Sequence, residues 1–254
     1  MLTEERYNFI LEKLTQYGVI KSQELMLEMD CSESTIRRDL ASLEEQGKLV
    51  RVHGGAKRVY TIEQEQSLTE KAVKNIQNKE KIAELAASFV EDGDTIFLDA
   101  GSTTFFMVPF LMEKSIRIVT NAVQHALLLA NQNNDVLLIG GKLKNTTQAI
   151  VGTTSVEQLS RYRFNKSFLG MNGIDKDYGF TTPDPEEANV KQQAVMNSSK
   201  TYILADETKF NKVTFVKVCT IDDALIITDH LSPKNYESYF NTTTILEAKS
   251  WFIQ

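Results

Sequence analysis

The segment from Asp99 to Thr104 combines residue types that can bind an anion. Its sequence is Asp-Ala-Gly-Ser-Thr-Thr, and it follows an apolar run typical of a strand and precedes a predicted helix. Backbone N–H groups at a helix start, surrounded by small residues such as Gly101, form an anion site, and Ser102, Thr103 and Thr104 add hydroxyl donors. Phosphate is the expected ligand. The same type of turn also serves as an ordinary helix N-cap, so the segment alone leaves both interpretations open.

Further polar and glycine residues fall where loops should follow other predicted strands. Ligands of open α/β sheets bind outside the carboxyl ends of the strands, so such loops converge on one crevice. Two lysines, Lys191 and Lys209, could supply positive charge there. Each glycine is equally explained by a turn with positive φ, and each lysine by a solvated surface position. The remaining candidates for the crevice are Thr120, Asn121, Gly140, Gly141, Asn172, Gly173 and Asp206.

A second group of residues has the chemistry needed to bind nucleic acid. Ser34, Thr35, Arg37 and Arg38 lie in the first half of a predicted helix. Short hydroxyl side chains allow close approach to a duplex, and an arginine can pair with guanine through two hydrogen bonds. Asp39 is expected to orient Arg38 or to cap its charge. Two adjacent arginines are, by themselves, more often a solvated helix face. The apolar residues of this helix lie on its other side: Ile36, Leu40 and Leu43.

The arginine-bearing helix is the third of three helices predicted within the first 60 residues. Apolar residues at helical spacing predict helices over 3–17 and about 22–29, and the third runs from Ser32 to about residue 46. Two short alternating runs around a Gly-Gly turn then predict a β-hairpin. This order is that of a winged helix-turn-helix, whose recognition helix enters the major groove. The hairpin residues expected along the DNA phosphates are Arg51, His53, Gly54, Gly55, Lys57 and Arg58.

The rest of the chain predicts a different class of domain. Residues 61–76 are polar and are interpreted as a linker that leads into a helix. Beyond them, strand-like apolar runs alternate with amphipathic helical segments, which predicts an α/β domain with a mostly parallel sheet and helices on both faces. We therefore expect a DNA-binding domain over 1–60, a linker over 61–76 and a ligand-binding domain over 77–254.

Composition limits the classes of function that the chain can have. Its 254 residues are 42% hydrophobic and 24% charged, as in ordinary globular proteins. The net charge of −6 is an average over the whole chain, and only that average argues against binding of nucleic acid. Six basic and three acidic side chains lie between Arg37 and Arg58, so this segment is positively charged. A DNA-binding surface needs local positive potential and not a basic whole. The acidic remainder would discourage docking to DNA by the wrong surface.

Compartment and cofactors are also constrained by the sequence. The polar, acidic start has no secretory signal, and no apolar run approaches the roughly 20 residues that span a bilayer. Cys31 and Cys219 lie far apart and match no metal-ligand spacing. We expect a cytoplasmic protein with reduced thiols, no membrane partner, no metal and no cofactor.

Motifs in the first 60 residues resemble the signature of the DeoR family of bacterial sugar-metabolism repressors. They are Ser-Thr-Ile-Arg-Arg-Asp-Leu at 34–40, Leu-Glu at 43–44 and Val-His-Gly-Gly-Ala at 52–56. The resemblance implies that Thr35, Arg37 and Arg38 face DNA and that residues 53–55 form the wing.

The resemblance extends to about residue 230. The matching segments are 99–103, 119–121, 140–141, Gly152, 170–173, 187–188 with Lys191, and 205–206 with Lys209. In that family the sensor is similar in fold to ribose-phosphate isomerase and binds phosphorylated sugars. This implies that residues 101–104 hold phosphate, while Asp99, Lys191, Asp206 and Lys209 contact phosphate or sugar hydroxyls. The most similar subgroup, the fructose operon repressors, suggests fructose 1-phosphate as the effector.

Two classes of function are compared on these grounds. The first is a repressor whose effector favours a conformation with weaker DNA affinity. It would be a homodimer or homotetramer, because paired recognition helices suit repeated half-sites. The alternative is a sugar-phosphate isomerase-like enzyme with an appended DNA-binding domain, in which Asp99, Asp206 and Lys191 act as acid and base. Other residues of an isomerase site are not recognisable, and a fold does not fix a function, so we expect no enzyme.

Overall fold

The structure is a computed structural model that describes residues 1–59, 70, 74–130 and 135–248. The chain divides into two compact units, Met1–Thr61 and Ile62–Gln254. Most of the predicted linker, residues 61–69 and 71–73, lies outside the described residues. The last part of that segment, 74–76, belongs to the second unit, and residue 76 already begins a helix.

The first unit contains three helices and a three-stranded antiparallel sheet in the order β1-β3-β2. Its helices are α1 (Thr3–Tyr17), α2 (Ser22–Met29) and α3 (Glu33–Glu45). Its strands are β1 (Val19–Lys21), β2 (Leu49–Val52) and β3 (Gly55–Arg58). Ile10, Leu14 and Ile36 are almost fully buried at the centre of this unit. The predicted order of three helices and a hairpin is confirmed, and β1 adds a strand to the hairpin.

The second unit contains a parallel sheet of seven strands in the order β15-β14-β12-β9-β4-β5-β6. These strands are β4 (Thr95–Leu98), β5 (Arg117–Thr120), β6 (Asp135–Leu138), β9 (Phe164–Gly170), β12 (Ser198–Leu204), β14 (Leu225–Thr228) and β15 (Ile245–Glu247). A hairpin joins β7 (Lys142–Leu143) to β8 (Ile150–Val151). A small antiparallel sheet, which the sequence did not predict, contains β10 (Gly173–Asp175), β11 (Gly179–Thr182) and β13 (Val216–Cys219).

Helices cover both faces of the large sheet, as the alternating pattern predicted. They are α4 (Ile76–Ser88), α5 (Ser102–Phe105), α6 (Val108–Leu111), α7 (Val123–Ala130), α8 (Thr153–Leu159), α9 (Pro185–Met196) and α10 (Pro233–Tyr239). Ile96 and Leu98 pack with α4 and α6 in one core, whereas Phe97 packs with α8 and α9 in the other. This alternation is that of a strand buried on both sides. None of the helices in the described ranges is long and apolar enough to cross a membrane.

Candidate functional sites

Helix α3 buries one side and exposes the residues expected to contact DNA. Ile36 and Leu43 are completely buried, whereas Ser34, Arg37 and Arg38 are exposed. Thr35 is half-buried because its backbone N–H and its hydroxyl both contact the Ser32 hydroxyl that caps the helix. Within the part of the chain that the structure describes, neither arginine forms an ion pair. The helix therefore presents two uncompensated guanidinium groups on one exposed face.

Asp39 has a different role from the one expected. Its carboxylate is buried and accepts two hydrogen bonds from Arg6, Nε to Oδ2 at 2.7 Å and Nη2 to Oδ1 at 3.1 Å. The prediction that Asp39 orients Arg38 is therefore wrong. The paired geometry instead joins the start of α1 to the middle of α3 and fixes the position of the exposed arginine face.

Glycine is needed at positions 54 and 55 of the β2–β3 hairpin, but for different structural reasons. Gly54 is exposed at the turn and has a φ of +79°, a conformation that side chains other than glycine rarely adopt. Gly55 is buried, and a Cβ there would lie 1.9 Å from the carbonyl oxygen of Ile20 in β1. Glycine at 55 is required by this close strand contact, whereas at 54 it is required by the turn. His53 is exposed beside them.

The basic side chains of the hairpin are not equally available. The Arg51 guanidinium donates to Glu44 of α3, Nε to Oε2 at 2.7 Å, and the Arg51 backbone N–H donates to the same carboxylate at 2.9 Å. These bonds lower the pKa of Glu44. Lys57 is exposed and Arg58 is half-buried. Of the basic residues predicted to contact DNA, Arg37, Arg38 and Lys57 are therefore exposed and form no ion pair within the described residues.

The second unit contains a cavity of about 260 Å³ at the carboxyl ends of β4, β9 and β12. This is the edge of the sheet where ligands of α/β folds bind. We call the cavity the sensor pocket. The residues predicted for the crevice that line it are Gly101, Ser102, Thr103, Asn172, Lys191, Asp206 and Lys209.

Asp99 lies beneath the sensor pocket and supports a residue that lines it. Its carboxylate is 1% exposed and accepts hydrogen bonds from the Lys191 ammonium and from the Gly170 N–H at 3.1 Å. Burial raises the pKa of Asp99, although Lys191 opposes this shift. Asp99 is not among the residues that line the pocket, and its expected contact with the ligand stays a prediction. It holds the buried ammonium of Lys191 at the pocket wall.

Asp206 is a lining residue that stays charged. Burial alone would raise its pKa, but hydrogen bonds from Thr208 and Asn75 and the positive charge of Lys209 together lower it. Its carboxylate is therefore an acceptor at neutral pH, and it holds Asn75 at the pocket wall by a bond of 3.1 Å.

Three predicted hydroxyl and amide residues do not line the sensor pocket. Thr104 donates to the Asp99 carbonyl oxygen at 2.6 Å, and Thr120 donates to the Leu98 carbonyl oxygen at 2.6 Å. Asn121 accepts from the Ala100 N–H at 2.8 Å. These polar groups hold the loop after β4 in shape, and their expected contact with the effector stays a prediction.

Three predicted glycines also lie outside the sensor pocket. The Gly140 N–H donates to Gln158 at 2.6 Å. Gly141 has a φ of +150°, and a Cβ there would lie 2.2 Å from the Ser155 hydroxyl. At Gly173 a Cβ would lie 2.5 Å from the Lys212 carbonyl oxygen. Close backbone packing explains Gly141 and Gly173 without a ligand.

Sequence reasoning missed several residues that line the sensor pocket. They are Lys74, Asn75, Lys79, Thr147, Glu187, Thr208, Lys212 and Thr214, together with apolar residues. Lys79 offered a signal, because it shares the buried face of α4 with Ile82 and Ala83. Glu187 accepts from the Thr147 hydroxyl at 2.5 Å and from Lys144 at 3.2 Å.

The pocket wall is polar and rich in cations. Five lysines line it, namely Lys74, Lys79, Lys191, Lys209 and Lys212, against the carboxylates of Glu187 and Asp206. The hydroxyl of Thr214, a residue only 5% exposed, has no hydrogen-bond partner among the described residues. A buried hydroxyl without a protein partner at a cavity wall is a group that a ligand can satisfy. The described ranges contain no cluster of three or more histidine, cysteine or acidic residues suited to a metal.

Comparison with known proteins covers both units. The family profile described as "DeoR-like helix-turn-helix domain" matches residues 6–61, and that described as "DeoR C terminal sensor domain" matches residues 74–230. The chain is 45% identical over 250 residues to the uncharacterized HTH-type transcriptional regulator FruR of Bacillus subtilis, covering 98% of this chain and 100% of that one. It is 33% identical to a lactose phosphotransferase system repressor of Staphylococcus aureus, covering 94% and 96% of the two chains.

Solved structures that resemble the chain include ribose 5-phosphate isomerase A of Methanocaldococcus jannaschii. The TM-score is 0.41 and the identity is 17%, with 54% of this chain and 55% of that chain covered. A likeness at this level carries no argument about activity, whereas the sequence relatives cover both units at higher identity. The chain belongs to the DeoR family of transcriptional regulators.

Proposed function

We propose that the chain represses a sugar-utilisation operon and releases its operator when a phosphorylated sugar binds in the sensor pocket. The observation that carries this proposal is the concentration of five lysines around the hydroxyl-bearing loop 101–103. A phosphate monoester carries a charge of about −1.5 to −2 at pH 7 and offers three acceptor oxygens. Ammonium groups and hydroxyl donors are the partners that such a group needs.

The lysines supply most of the positive potential for phosphate. Helix α5, which begins at Ser102, has only four residues, so its backbone dipole is small. Lys191 is held in place by Asp99, whereas Lys209 is half-buried and lines the pocket from the segment that follows β12. The hydroxyls of Ser102 and Thr103 can then bind the phosphate oxygens directly.

The polar acceptors of the sensor pocket suit sugar hydroxyls. Asp206 and Glu187 are carboxylates, and Asn172 adds an amide whose oxygen already accepts from Thr182 at 3.1 Å. Carboxylate oxygens accept hydrogen bonds from hydroxyl groups, and they disfavour a second phosphate beside them. Fructose 1-phosphate is the first effector to test, because of the resemblance to the fructose operon repressors.

The proposal assigns operator binding to the first unit. The N-terminal half of α3 would enter the major groove, with the hairpin along the phosphates. Repeated half-sites require paired copies of this helix, so we propose a homodimer or homotetramer that acts in the cytoplasm. Effector binding must favour the conformation with lower DNA affinity, because an effector with equal affinity for both conformations would release nothing.

The sensor half of the proposal is tested by release of a bound operator fragment during titration with fructose 1-phosphate. Lys209→Ala should require at least about tenfold more effector, because a charge-assisted hydrogen bond is lost. The matched control is Lys200→Ala, which removes the same charge near the amino end of β12, away from the pocket. Release of Lys209→Ala at the wild-type effector concentration would contradict the placement of the site.

The DNA half is tested by operator affinity of Arg38→Ala. Loss of a guanidinium that contacts a base should weaken binding by about tenfold or more and leave the thermal unfolding midpoint unchanged. Arg117→Ala is the control, because it removes an exposed arginine from the second unit. Equal operator affinity of the two variants would exclude α3 as the recognition helix.

A further inference from the structure

A second cavity lies next to the sensor pocket and has different chemistry. Its volume is about 130 Å³, and it shares Ala100, Gly101, Ser102 and Thr147 with the sensor pocket. The other walls are formed by α5, α7 and the loop between β7 and β8, with Phe105 and Phe106 beside the amides of Gln124 and Gln148. We call this cavity the annex. A cavity of about 150 Å³ is large enough for a six-membered ring, so the annex can accept the end of a small ligand.

The annex contains one buried group without a partner. His125 of α7 lines it and is 3% exposed, and its Nδ1 has no hydrogen-bond partner among the described residues. Its ring packs edge-on against Phe105, with 5.4 Å between the centroids. Burial lowers the pKa of His125 to about 3, so the ring is neutral at physiological pH.

The bonds of Thr104 determine which nitrogen of His125 carries the proton. The Thr104 hydroxyl lies 2.6 Å from the Asp99 carbonyl oxygen and 3.2 Å from His125 Nε2. The Gly101 carbonyl oxygen lies 2.9 Å from the same hydroxyl, and because carbonyl oxygens can only accept, the single hydroxyl proton is donated to Asp99 or Gly101. The hydroxyl then accepts from Nε2–H, which assigns the ring proton to Nε2 and leaves Nδ1 as an acceptor. Nδ1 is thus an acceptor without a donor among the described residues, on a ring that lines the annex.

We propose that the annex selects the effector by taking its neutral, hydroxylated end, with one ligand hydroxyl donating to Nδ1 of His125. This inference rests on the proposed function, because the phosphate of the same ligand would be held in the sensor pocket. A hydroxyl supplies the donor that Nδ1 needs, and the carbon atoms around it pack against Phe105 and Phe106. A second phosphate is disfavoured in the annex, because its oxygens are acceptors like Nδ1 and because it would lose its hydration against Phe105 and Phe106.

The test separates the two nitrogens of His125. His125→Gln reaches as far as Nε2, so its amide can still donate to Thr104 while the acceptor at the Nδ1 position is removed. Binding of inorganic phosphate and of fructose 1-phosphate is measured by calorimetry on the full chain. We expect about tenfold weaker binding of fructose 1-phosphate and unchanged binding of phosphate. Leu127→Gln is the control, since it makes an apolar-to-amide change at an exposed position of the same helix.

Each outcome of the calorimetry supports or contradicts one part of the proposal. Equal affinity of wild type and His125→Gln for fructose 1-phosphate means that no ligand group donates to Nδ1, and the annex proposal is then overturned. Parallel weakening of phosphate and sugar phosphate binding also overturns it, because the change then acts on the whole loop. If the wild type binds no member of a panel of sugar monophosphates, the proposed function itself fails and the annex role fails with it. Thermal unfolding of each variant shows whether it is folded.

Discussion

Burial of a neutral His125 predicts that the chain loses stability in mildly acidic solution. The pKa of this residue is about 3 in the folded chain, whereas an unfolded histidine titrates near 6.5. Between these values the unfolded chain binds one more proton than the folded chain. The free energy of unfolding therefore rises with pH in this window, and stability is lost as the pH falls below about 6.5.

The size of the effect follows from the two pKa values. Integration from pH 7 to pH 5 gives a loss of about 2 kcal/mol from this single residue. Urea unfolding of wild type and His125→Gln at both pH values measures it. The change in the free energy of unfolding from pH 7 to pH 5 is compared between the two proteins, so contributions of the other titrating groups cancel. The wild type should lose about 2 kcal/mol more than the variant.

A result near zero in that double difference would refute the reasoning. It would mean that His125 is protonated in the folded chain or that the region around α7 opens before the rest unfolds. Amide exchange in α7 distinguishes these cases, because local opening would remove protection there without global unfolding.

Three further predictions follow from particular contacts. Gly55→Ala should destabilise the first unit by about 3 kcal/mol, because the new Cβ would clash with the Ile20 carbonyl oxygen. Gly54→Ala should destabilise it by about 1 kcal/mol, because residue 54 has a positive φ. Equal losses of stability in thermal unfolding would contradict this difference. Asp184 caps α9 and pairs with Lys144 at 2.9 Å, and although burial acts to raise its pKa, these bonds lower it. Asp184 thus stabilises the fold above pH ~4, and this contribution is lost as the pH falls further. Asp184→Asn should therefore lower the free energy of unfolding by about 1 kcal/mol at pH 7. In urea unfolding, the free energy of the variant should also depend less on pH in the acid range. If each operator half receives about five phosphate contacts, log affinity against log salt should have a slope of about −4 to −5 per half; a slope near zero would exclude phosphate binding.

The sequence predicted the elements whose apolar residues have a clear period. Ile36, Leu40 and Leu43 fix the buried side of α3, and the exposed side follows by exclusion. Strands such as β4 and β14 are short apolar runs bounded by turns. The small sheet was missed because β10 and β11 combine glycine and threonine with few apolar residues, so they lack an alternating pattern.

Some of the residues predicted for the effector crevice line the sensor pocket, and others do not. Thr120 ends β5 and Asn121 follows it, which is where ligand-binding residues are expected, but their partners are distant in sequence, namely Leu98, Ala100 and Ile150. No local pattern shows whether such a side chain faces the crevice or a neighbouring loop. Lys79 was missed for the converse reason, since a lysine on an amphipathic helix is ordinarily solvated.

The pair formed by Asp99 and Lys191 constrains how the sensor can change during evolution. Both side chains are almost fully buried, so replacement of either one leaves the other as an isolated charge in the interior. Breaking a buried pair in this way typically costs about 3–5 kcal/mol, although simultaneous replacement of both by apolar residues can be neutral. Single substitutions at either position therefore lead through an unstable intermediate. Divergence of effector preference should proceed more readily at Lys209, Asn172 and other partly solvated positions of the pocket.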